Sequence, residues 1–305
     1  MGIAKKDCKM NGHAKKPKYD PEFTDKVITA TGPNAHDRLK QVMPSLLRHL
    51  HDFAREVDLT IAELMVGIEL INDSGRMSTD KRNETLLLAD VLGLESLADE
   101  ITSKLLSASS KSEVTPSAVL GPFYRANAPL LPNGSSILSP RSGWYAEAVP
   151  KLAHISGRVL VTSTGKPIPN ATLDVWMAGP NGLYEQQDDE QPDMNLRGRF
   201  RTDEHGRYDF YAIRMTPYPI PGDGPAGRLL GLLDRHPYRP GHIHFIVSAE
   251  GYRTLTTQLL DKEDMYSKND TVFASKDELQ IKFERREGDE KAKWMLEYDF
   301  TLGEM

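Results

Sequence analysis

Cysteine is nearly absent from this chain, because Cys8 is the only one among 305 residues. A single cysteine excludes an internal disulfide framework and a cysteine-based zinc cluster, so any bound metal must take nitrogen and oxygen ligands. Long apolar runs are absent too, since none approaches the roughly 20 residues that a helix needs to cross a bilayer. These absences predict a protein of a reducing compartment, the cytoplasm, with no membrane span.

Positive charge is also scarce, with 38 Lys and Arg against 44 Asp and Glu and a net charge of −6. Residues 1–20 hold six lysines and two aspartates, a charge of +4, so the other 285 residues sum to −10. An acidic body argues against a nucleic-acid partner. Residues 1–20 lack both the apolar core of a signal peptide and the Arg-rich pattern of a transit peptide. We therefore expect a basic, disordered tail there, with a weak lipid or partner contact as the alternative.

The apolar residues of 21–110 repeat at helical spacing, which predicts a helical domain over this range. One stripe comprises Leu46, Leu47, Leu50 and Phe53. Thr60 and Glu63 form a capping box that should begin the next helix, and Asp73-Ser74-Gly75 should end it. Two more helices are expected at residues 79–92 and 95–106.

The pattern changes beyond residue 110. Residues 111–150 are rich in Ser, Pro and Gly and are expected to form a linker and a pocket loop. Residues 151–305 show short alternating runs that predict about eight strands, with Asp203-Glu204-His205-Gly206 as a hairpin turn and a short helix at 227–233. The expected fold class is α+β, with an N-terminal helical domain followed by an antiparallel β-sandwich.

The run from Arg239 to Phe245 places two histidines in an apolar, β-branched segment. In a strand, residues i and i+2 project from the same face, so His242 and His244 can converge on one point. With the guanidinium of Arg239 three residues upstream, they indicate a metal site that has a cationic neighbour. The alternative is a pair of partly buried imidazoles that are hydrogen-bonded to the backbone.

Two tyrosines lie in unusual local sequences. Tyr184 follows the turn residues of Gly179–Leu183, just past a predicted strand, so its phenol should stand at the end of a sheet. Tyr218 has a proline on each side, which restricts the backbone and suits a side chain that must be held in place. The alternative for each is a half-buried loop tyrosine whose ring packs against its neighbours.

Several separated motifs occur in the order and at the spacing of one enzyme family. They are Leu120-Gly121-Pro122-Phe123, Asp174-Val175-Trp176, Gly182-Leu183-Tyr184, Tyr218-Pro219-Ile220-Pro221, Arg239-x-x-His242-x-His244 and Thr256-Thr257-Gln258. From about residue 35 to the C-terminus the chain resembles the intradiol ring-cleaving dioxygenases. Its helical domain is typical of the branch that holds the catechol 1,2-dioxygenases and hydroxyquinol 1,2-dioxygenases.

The resemblance implies that the β-sandwich is a catalytic domain with a non-haem Fe(III) cofactor. The implied ligands are Tyr184, Tyr218, His242 and His244. Phenolate oxygens suit a hard, highly charged cation, and imidazoles complete its shell. The implied reaction inserts both atoms of O2 into an aromatic diol and gives a muconate-type diacid. Arg239 and Gln258 would stabilise charge that develops on the ring, and Tyr218 would act as a base for a diol proton.

The resemblance also concerns partners other than the diol and O2. Members of this branch form homodimers through the helical domain, and the apolar stripes of residues 21–110 agree with that. Those dimers enclose a phospholipid in a helical tunnel, so the resemblance allows for a bound lipid here.

The family pocket implies a set of residues around the substrate ring. They are Leu87, Asp90, Leu120, Gly121, Pro122, Phe123, Ile220 and Pro221. Asp90 stands where plain catechol enzymes often carry proline, whereas hydroxyquinol and chlorocatechol enzymes tend to carry aspartate. Its carboxylate could accept a hydrogen bond from a third ring hydroxyl, so we favour hydroxyquinol over catechol and chlorocatechol. The other interpretation of Asp90 is a helix-end carboxylate that faces water.

Two further classes of function fit parts of the pattern. A transthyretin-like or carbohydrate-binding module would share the β-sandwich but would not need two tyrosines and two histidines in register. A zinc hydrolase would use the histidines and would be colourless. No 2-His-1-carboxylate pattern for Fe(II) stands out. Metal content and visible colour separate these classes.

Overall fold

The computed structural model describes residues 19–107 and 114–305. Cys8 and all but the last two residues of the expected basic tail lie outside the described residues, as does most of the serine-rich segment 107–112. By its internal contacts the chain divides into two compact units, Met1–Ile68 and Glu69–Met305. The domain boundaries expected near residues 110 and 150 stay predictions.

Helices dominate the first third of the described chain. They are α1 (Phe23–Thr29), α2 (Asp37–Glu56), α3 (Ile61–Met77), α4 (Glu84–Val91) and α5 (Leu94–Ser107). The capping box before α3 is confirmed, because Glu63 N–H donates to the Thr60 hydroxyl at 3.3 Å and Thr60 N–H donates to the Glu63 carboxylate at 2.9 Å. α3 continues beyond the predicted stop at 73–75. Across residues 19–107 and 114–305, no helix has the length and apolarity to cross a membrane.

The helix expected at 79–92 begins later than predicted. Asn83 is the N-cap of α4, because its side-chain oxygen accepts the N–H of Leu86 at 3.0 Å. The residues before it do not form a helical turn, since the Thr79 hydroxyl accepts the N–H groups of Lys81 and Arg82 instead. A local side-chain acceptor of this kind competes with helical hydrogen bonding, which is why the predicted start is wrong.

The first unit pairs α1 with α2. Thr24 is the buried residue of α1, and its hydroxyl lies 3.0 Å from His51 Nδ1 and accepts a hydrogen bond from Arg55 at 2.7 Å. The apolar stripe of α2 is not covered within the described chain, since Leu50 and Phe53 are each 53% exposed. An exposed apolar row of this kind indicates a surface that packs against another molecule.

The second unit contains two larger sheets and one small sheet. The first sheet contains β10 (Glu284–Arg285), β11 (Trp294–Glu297), β1 (Leu152–Val161) and β12 (Phe300–Leu302) in that order, with β4 (Arg207–Ile213) also paired to β1. The second has the order β3 (Arg197–Arg201), β2 (Thr172–Met177), β7 (His242–Ser248), β8 (Leu255–Asp261) and β9 (Gln280–Ile281). The small sheet pairs β5 (Tyr218–Pro219) with β6 (Tyr238–Arg239). The short helix α6 (Tyr145–Ala148) precedes β1, and α7 (Pro225–Leu232) lies between β5 and β6.

One predicted connection is wrong. The 203–206 turn does not close a hairpin, because β3 pairs with β2 in one sheet whereas β4 pairs with β1 in the other. Thr202 fixes the chain where it leaves the second sheet, since its hydroxyl donates to Ile168 O at 2.7 Å and its N–H donates to Ala171 O at 2.9 Å. The sheets are mixed, because β11 and β12 run parallel to β1.

The core between the two larger sheets is aromatic. Phe245 of β7 lies 6.4 Å from Phe210 of β4 and 4.8 Å from Phe300 of β12, measured between ring centroids. All three rings are fully buried. Aromatic pairs at these distances contribute about 0.5–1.5 kcal/mol beyond the burial of their area. The expected fold class, helices followed by a β-sandwich, is confirmed.

A second apolar cluster joins α4 to α7 beside the sandwich. It is formed by Leu87, Leu88, Val91, Val119, Ile220, Ala226, Leu230, Val272 and Ala274. Arg235 adds polar contacts at the end of α4, donating to Val91 O at 2.6 Å and also to Thr271 O. These contacts fix the C-terminal end of α4 against the segments that follow β5 and β8.

Candidate metal centre

Strand β7 carries both histidines of the H-x-H run on one buried face. In the strand register His244 is the direct neighbour of Trp176 on β2 and of Gln258 on β8. The Trp176 indole stacks on the His244 imidazole, with ring centroids 4.7 Å apart and planes inclined by 1°. This cross-strand row fixes the orientation of the imidazole.

The small sheet supplies one tyrosine, and the loop after β2 supplies the other. Tyr218 on β5 is paired with Arg239 on β6. Gly182 packs directly on Tyr218, since a Cβ at Gly182 would lie 2.7 Å from the Tyr218 Cβ, and its φ is +81°. Only glycine adopts this turn without strain. The turn brings Tyr184 to a buried position next to Tyr218, with 1% of Tyr184 exposed.

Two phenol oxygens and two imidazole nitrogens converge at this point. Tyr184 Oη lies 3.2 Å from Tyr218 Oη, and Tyr218 Oη lies 3.4 Å from His242 Nε2. His242 Nε2 in turn lies 3.0 Å from His244 Nε2. The structure thus brings together the four residues expected as ligands, although the sequence separates the first from the last by 60 positions.

The imidazoles are in the state that a metal needs. His242 Nδ1 lies 2.8 Å from Pro240 O, so Nδ1 carries the hydrogen and Nε2 turns its lone pair to the centre. Backbone pairing through Nδ1 and an unprotonated Nε2 therefore coexist in His242. Burial, and then the charge of Arg239, lowers the pKa of His242 and of His244 well below the usual value. Both rings are neutral at pH 7, as metal-binding imidazoles must be.

The phenols are neutral unless a cation is present. Burial raises the pKa of Tyr184 well above its usual range, and the neighbouring Tyr218 raises it further. Burial also raises the pKa of Tyr218, although the charge of Arg239 opposes that effect. A bound metal ion would reverse the preference, because its charge favours the phenolate form. Neither residue is the half-buried loop tyrosine of the alternative interpretation.

The chemistry of this donor set fits ferric iron. Over the described ranges 19–107 and 114–305, no group of three or more His, Cys, Asp and Glu side chains is placed to hold a metal. The two tyrosines are therefore needed to complete a set of four donors with His242 and His244. Hard oxygen donors combined with imidazoles suit iron. His244 Nδ1 is buried with no hydrogen-bond partner in the described part of the chain, and stacking on Trp176 holds this ring instead.

Arg239 lies at the edge of the four donors. Its Nη1 is 3.1 Å from His242 Nε2, and its Nη2 donates to Gln258 Oε1 at 3.2 Å. Asp270 accepts from Arg239 Nε and from Nη2, each at 3.1 Å. Arg239 therefore pairs with an acidic residue and also reaches the four donors.

The pocket loop lies against the same donors. A Cβ at Gly121 would meet His244 Cε1 at 3.4 Å, and this glycine has a φ of +76°. The Phe123 ring lies 4.9 Å from the Tyr184 ring between centroids. Leu120 packs at the edge of the cluster that Phe123 forms with both tyrosines. Gly121 is thus required where the loop approaches the imidazole closely.

The remaining pocket residues lie on α4 and after β5. Leu87 and Ile220 share the apolar cluster beside α7. Asp90 is 2% exposed, so the interpretation as a helix-end carboxylate in water is wrong. Pro122 is half-buried and its carbonyl accepts the N–H of Asn83 at 3.2 Å. Pro221 is half-buried too, and its carbonyl oxygen lies against α7.

Sequence reasoning missed two residues, Arg197 and Glu95, whose hydrogen bonds hold the segments that carry this site. Arg197 is buried and donates to Glu185 Oε2 at 2.7 Å and to Phe123 O at 2.8 Å. It thereby joins the segment after Tyr184 to the pocket loop. Glu95 accepts the N–H of Leu120 at 2.9 Å. These residues carry no local motif, and only their contacts in the fold reveal them.

Two family models match the chain over most of its length. The model described as "Catechol dioxygenase N terminus" matches residues 36–109, and the model described as "Dioxygenase" matches residues 121–304.

Individual relatives and solved structures agree with these models. A catechol 1,2-dioxygenase of Candida albicans is 45% identical over 92% of this chain and 91% of its own length. A hydroxyquinol 1,2-dioxygenase of a Rhizobium species is 40% identical over 87% of this chain and 89% of its own. The crystal structure of hydroxyquinol 1,2-dioxygenase from Pseudomonas putida has a TM-score of 0.78 and 36% identity, covering 93% of this chain and 98% of that one. That of catechol 1,2-dioxygenase from Pseudomonas arvilla has a TM-score of 0.77 and 30% identity, covering 92% and 90%.

Proposed function

Because the chain belongs to the intradiol ring-cleaving dioxygenases, we propose that it cleaves hydroxyquinol between two adjacent hydroxyl groups, with catechol as the second candidate substrate. The family makes it an enzyme that acts on an aromatic diol with O2. The observation that carries the site assignment is the convergence of two buried phenols and two buried imidazoles within 3.0–3.4 Å of one another.

We assign ferric iron to these four side chains. The proposed ligands are Tyr184, Tyr218, His242 and His244. When bound, Fe(III) supplies the positive charge that holds the two diol oxygens and makes the ring reactive toward O2. The neutral imidazoles and the closeness of the two phenol oxygens support this assignment.

The surrounding residues position the ring and control charge. Tyr218 is proposed to hold one proton of the diol on its phenol oxygen while the substrate is bound. Arg239 and Gln258 form a hydrogen-bonded pair beside the donors and are proposed to stabilise negative charge that develops on the ring. Phe123 and Leu87 supply the buried apolar surface that excludes water from the pocket.

Asp90 supports the choice of hydroxyquinol. It is buried on α4, and its Oδ1 has no hydrogen-bond partner among the described residues. A third ring hydroxyl would give this carboxyl a hydrogen bond that catechol cannot supply, a difference of about 1–3 kcal/mol. The support for catechol is the identity of 45% to the Candida albicans enzyme named above.

A comparison of two diols tests the substrate. We expect the wild type to have a higher kcat/KM for hydroxyquinol than for catechol, measured as oxygen uptake. Asp90→Ala should reduce this preference by about 5- to 150-fold without loss of iron. Asp80→Ala, an exposed residue ahead of α4, is the control and should leave both values unchanged. A wild-type preference for catechol would assign the enzyme as a catechol 1,2-dioxygenase.

We further propose a homodimer formed through the helical region. The exposed apolar row of Leu46, Leu50 and Phe53 on α2 supports it. Light scattering should give about twice the chain mass of 34.1 kDa, and Leu50→Glu should lower it toward that of one chain. A phospholipid between the subunits is part of this proposal and would be found by mass spectrometry of a solvent extract. The cytoplasm is the proposed compartment because of the single cysteine.

A further inference from the structure

Two acidic side chains meet at the wall of the proposed pocket. Asp90 lies in the last turn of α4, and Glu95 lies in the first turn of α5 after a tight turn at Gly93, whose φ is +71°. The Asp90 and Glu95 carboxyls are hydrogen-bonding neighbours. Glu95 Oε1 accepts the N–H of Leu120 from the pocket loop at 2.9 Å. Glu95 thus contacts both Asp90 and the loop that approaches His244.

One carboxyl oxygen of Asp90 and one of Glu95 are buried without a hydrogen-bond partner among the described residues. Asp90 Oδ1 and Glu95 Oε2 are both inaccessible to solvent and accept no hydrogen bond from any described residue. Two ionised carboxylates in that position would repel each other, and each would leave a buried oxygen unsatisfied. A single proton between them would satisfy both oxygens.

The other charged groups that face Asp90 do not remove this conflict. They are Arg239 on β6 and Asp270 in the loop after β8. Asp270 already forms two hydrogen bonds with the Arg239 guanidinium, so the positive charge nearest to Asp90 is matched by a carboxylate. A doubly ionised pair of Asp90 and Glu95 would therefore carry two negative charges beside a guanidinium that is already paired with Asp270.

We propose that Asp90 and Glu95 share one proton, and that Glu95 is a positioning residue whose hydrogen bond to Asp90 holds the second Asp90 oxygen toward the third hydroxyl of a trihydroxybenzene. This inference rests on the proposed function of the site. A protonated Asp90 donates its O–H to Glu95, and its second oxygen is left to accept from the substrate hydroxyl. Glu95 at the same time ties the pocket loop to this pair through Leu120.

The proton is present at neutral pH. Burial, followed by the neighbouring Glu95 carboxylate, raises the pKa of Asp90 to about 9. The charge of Arg239 opposes the shift and that of Asp270 adds to it. The loss of this proton should appear as one step at alkaline pH.

Glu95→Gln tests the shared proton while it keeps the geometry. The glutamine oxygen can still accept the Leu120 N–H, and its NH2 group can donate to Asp90 Oδ1, so Asp90 becomes an ionised acceptor. The measurement is the ratio of kcat/KM for hydroxyquinol to kcat/KM for catechol from about pH 6 to about pH 10. The wild-type ratio should fall by about tenfold as the shared proton is lost. The diols also ionise in this pH range. Their ionisation is the same for every variant, so it cancels when the pH profile of a variant is compared with that of the wild type.

In Glu95→Gln we expect the ratio to stay near the neutral-pH value of the wild type and to be independent of pH, because the amide keeps the hydrogen bond to Asp90 without a titrating proton. Asp90→Asn also removes the titrating pair and should likewise give a ratio independent of pH, so either variant suffices if the other does not fold. Glu100→Gln, the same change on the exposed side of α5, should keep the wild-type profile. A wild-type pH profile in Glu95→Gln, or an equal loss on both diols at every pH, would overturn the proposal.

An infrared difference spectrum separates this proposal from the substrate assignment. Wild type minus Asp90→Asn, and wild type minus Glu95→Gln, should each show the band of a protonated carboxyl at neutral pH. If that band is present but the wild type prefers catechol, the shared proton stands and the assignment of hydroxyquinol fails. If the band is absent from both difference spectra, the shared proton is ruled out whichever diol the enzyme prefers.

Discussion

Asp270 holds Arg239 through two parallel hydrogen bonds, from Nε to Oδ1 and from Nη2 to Oδ2, each 3.1 Å long. Both side chains are almost fully buried. The bidentate pair leaves Nη1 of Arg239 directed at His242 Nε2, 3.1 Å away. Asp270 therefore fixes the direction of the guanidinium that we propose to stabilise charge on the ring.

Asp270→Asn should lower kcat/KM by about 10- to 100-fold, because an amide cannot accept from both guanidinium nitrogens and the charge of Arg239 is left unmatched. Iron content should stay that of the wild type, since Asp270 does not contact the four donors. Steady-state kinetics and metal analysis check both expectations. Asp277→Asn, an exposed aspartate further along the same loop, is the control. Unchanged kinetics in Asp270→Asn would show that Arg239 does not depend on this pair.

The two histidines of β7 should each be needed for iron. His242→Ala and His244→Ala remove a donor from a set of four, so both variants are expected to lose the metal during purification. His236→Ala is a matched control, because the ring of His236 lies 5.5 Å from Tyr266 and its Nδ1 accepts the N–H of Tyr238, away from the donors. Full iron occupancy in either of the first two variants would contradict the ligand assignment.

The buried Asp90 should make stability depend on pH. Its pKa is raised to about 9 in the folded state, whereas an unfolded chain has a value of about 3.9. Between these values the folded state binds more protons, so the contribution of Asp90 to the free energy of unfolding falls as pH rises, and it is fully present only below the unfolded pKa. Asp90→Asn removes this dependence.

Thermal unfolding at several pH values checks that expectation. The Tm of Asp90→Asn relative to wild type should rise from about pH 5 to about pH 9 and then level off. Asp80→Asn should show no such trend, because Asp80 is exposed. A constant difference between Asp90→Asn and wild type across the range would mean that Asp90 is ionised in the fold at neutral pH.

The tyrosines should control the colour of the iron form. Tyr184→Phe and Tyr218→Phe each remove one phenolate, so the visible band should shift or weaken in both. Phenylalanine keeps the buried ring, which limits the loss of packing to the hydroxyl. Tyr238→Phe, on β6 beside the site but 36% exposed and stacked on Tyr266, should keep the wild-type spectrum.

Local sequence signals predicted the parts of this fold whose hydrogen bonds are local. The capping box of Thr60 and Glu63 lies within four residues and was readable from the chain. The i, i+2 spacing of His242 and His244 likewise fixed their common face once the segment is a strand. Of the four proposed ligands, only these two histidines lie close together in the sequence.

Contacts between distant segments could not be predicted in the same way. Asp270 meets Arg239 from 31 positions away, and Glu95 meets Leu120 from 25 positions away. Neither acid lies in a periodic pattern or a turn motif that would mark it. The wrong hairpin at 203–206 has the same cause, since a turn signal does not show whether the two strands join the same sheet or different ones.

The visible spectrum of the purified protein, measured together with its metal content, tests the central claim most directly. The account predicts a red to burgundy protein with one ferric iron per chain, whose charge-transfer band changes when an aromatic diol is added without O2. A colourless protein whose main metal is zinc would contradict the assignment of Tyr184, Tyr218, His242 and His244 as ferric iron ligands.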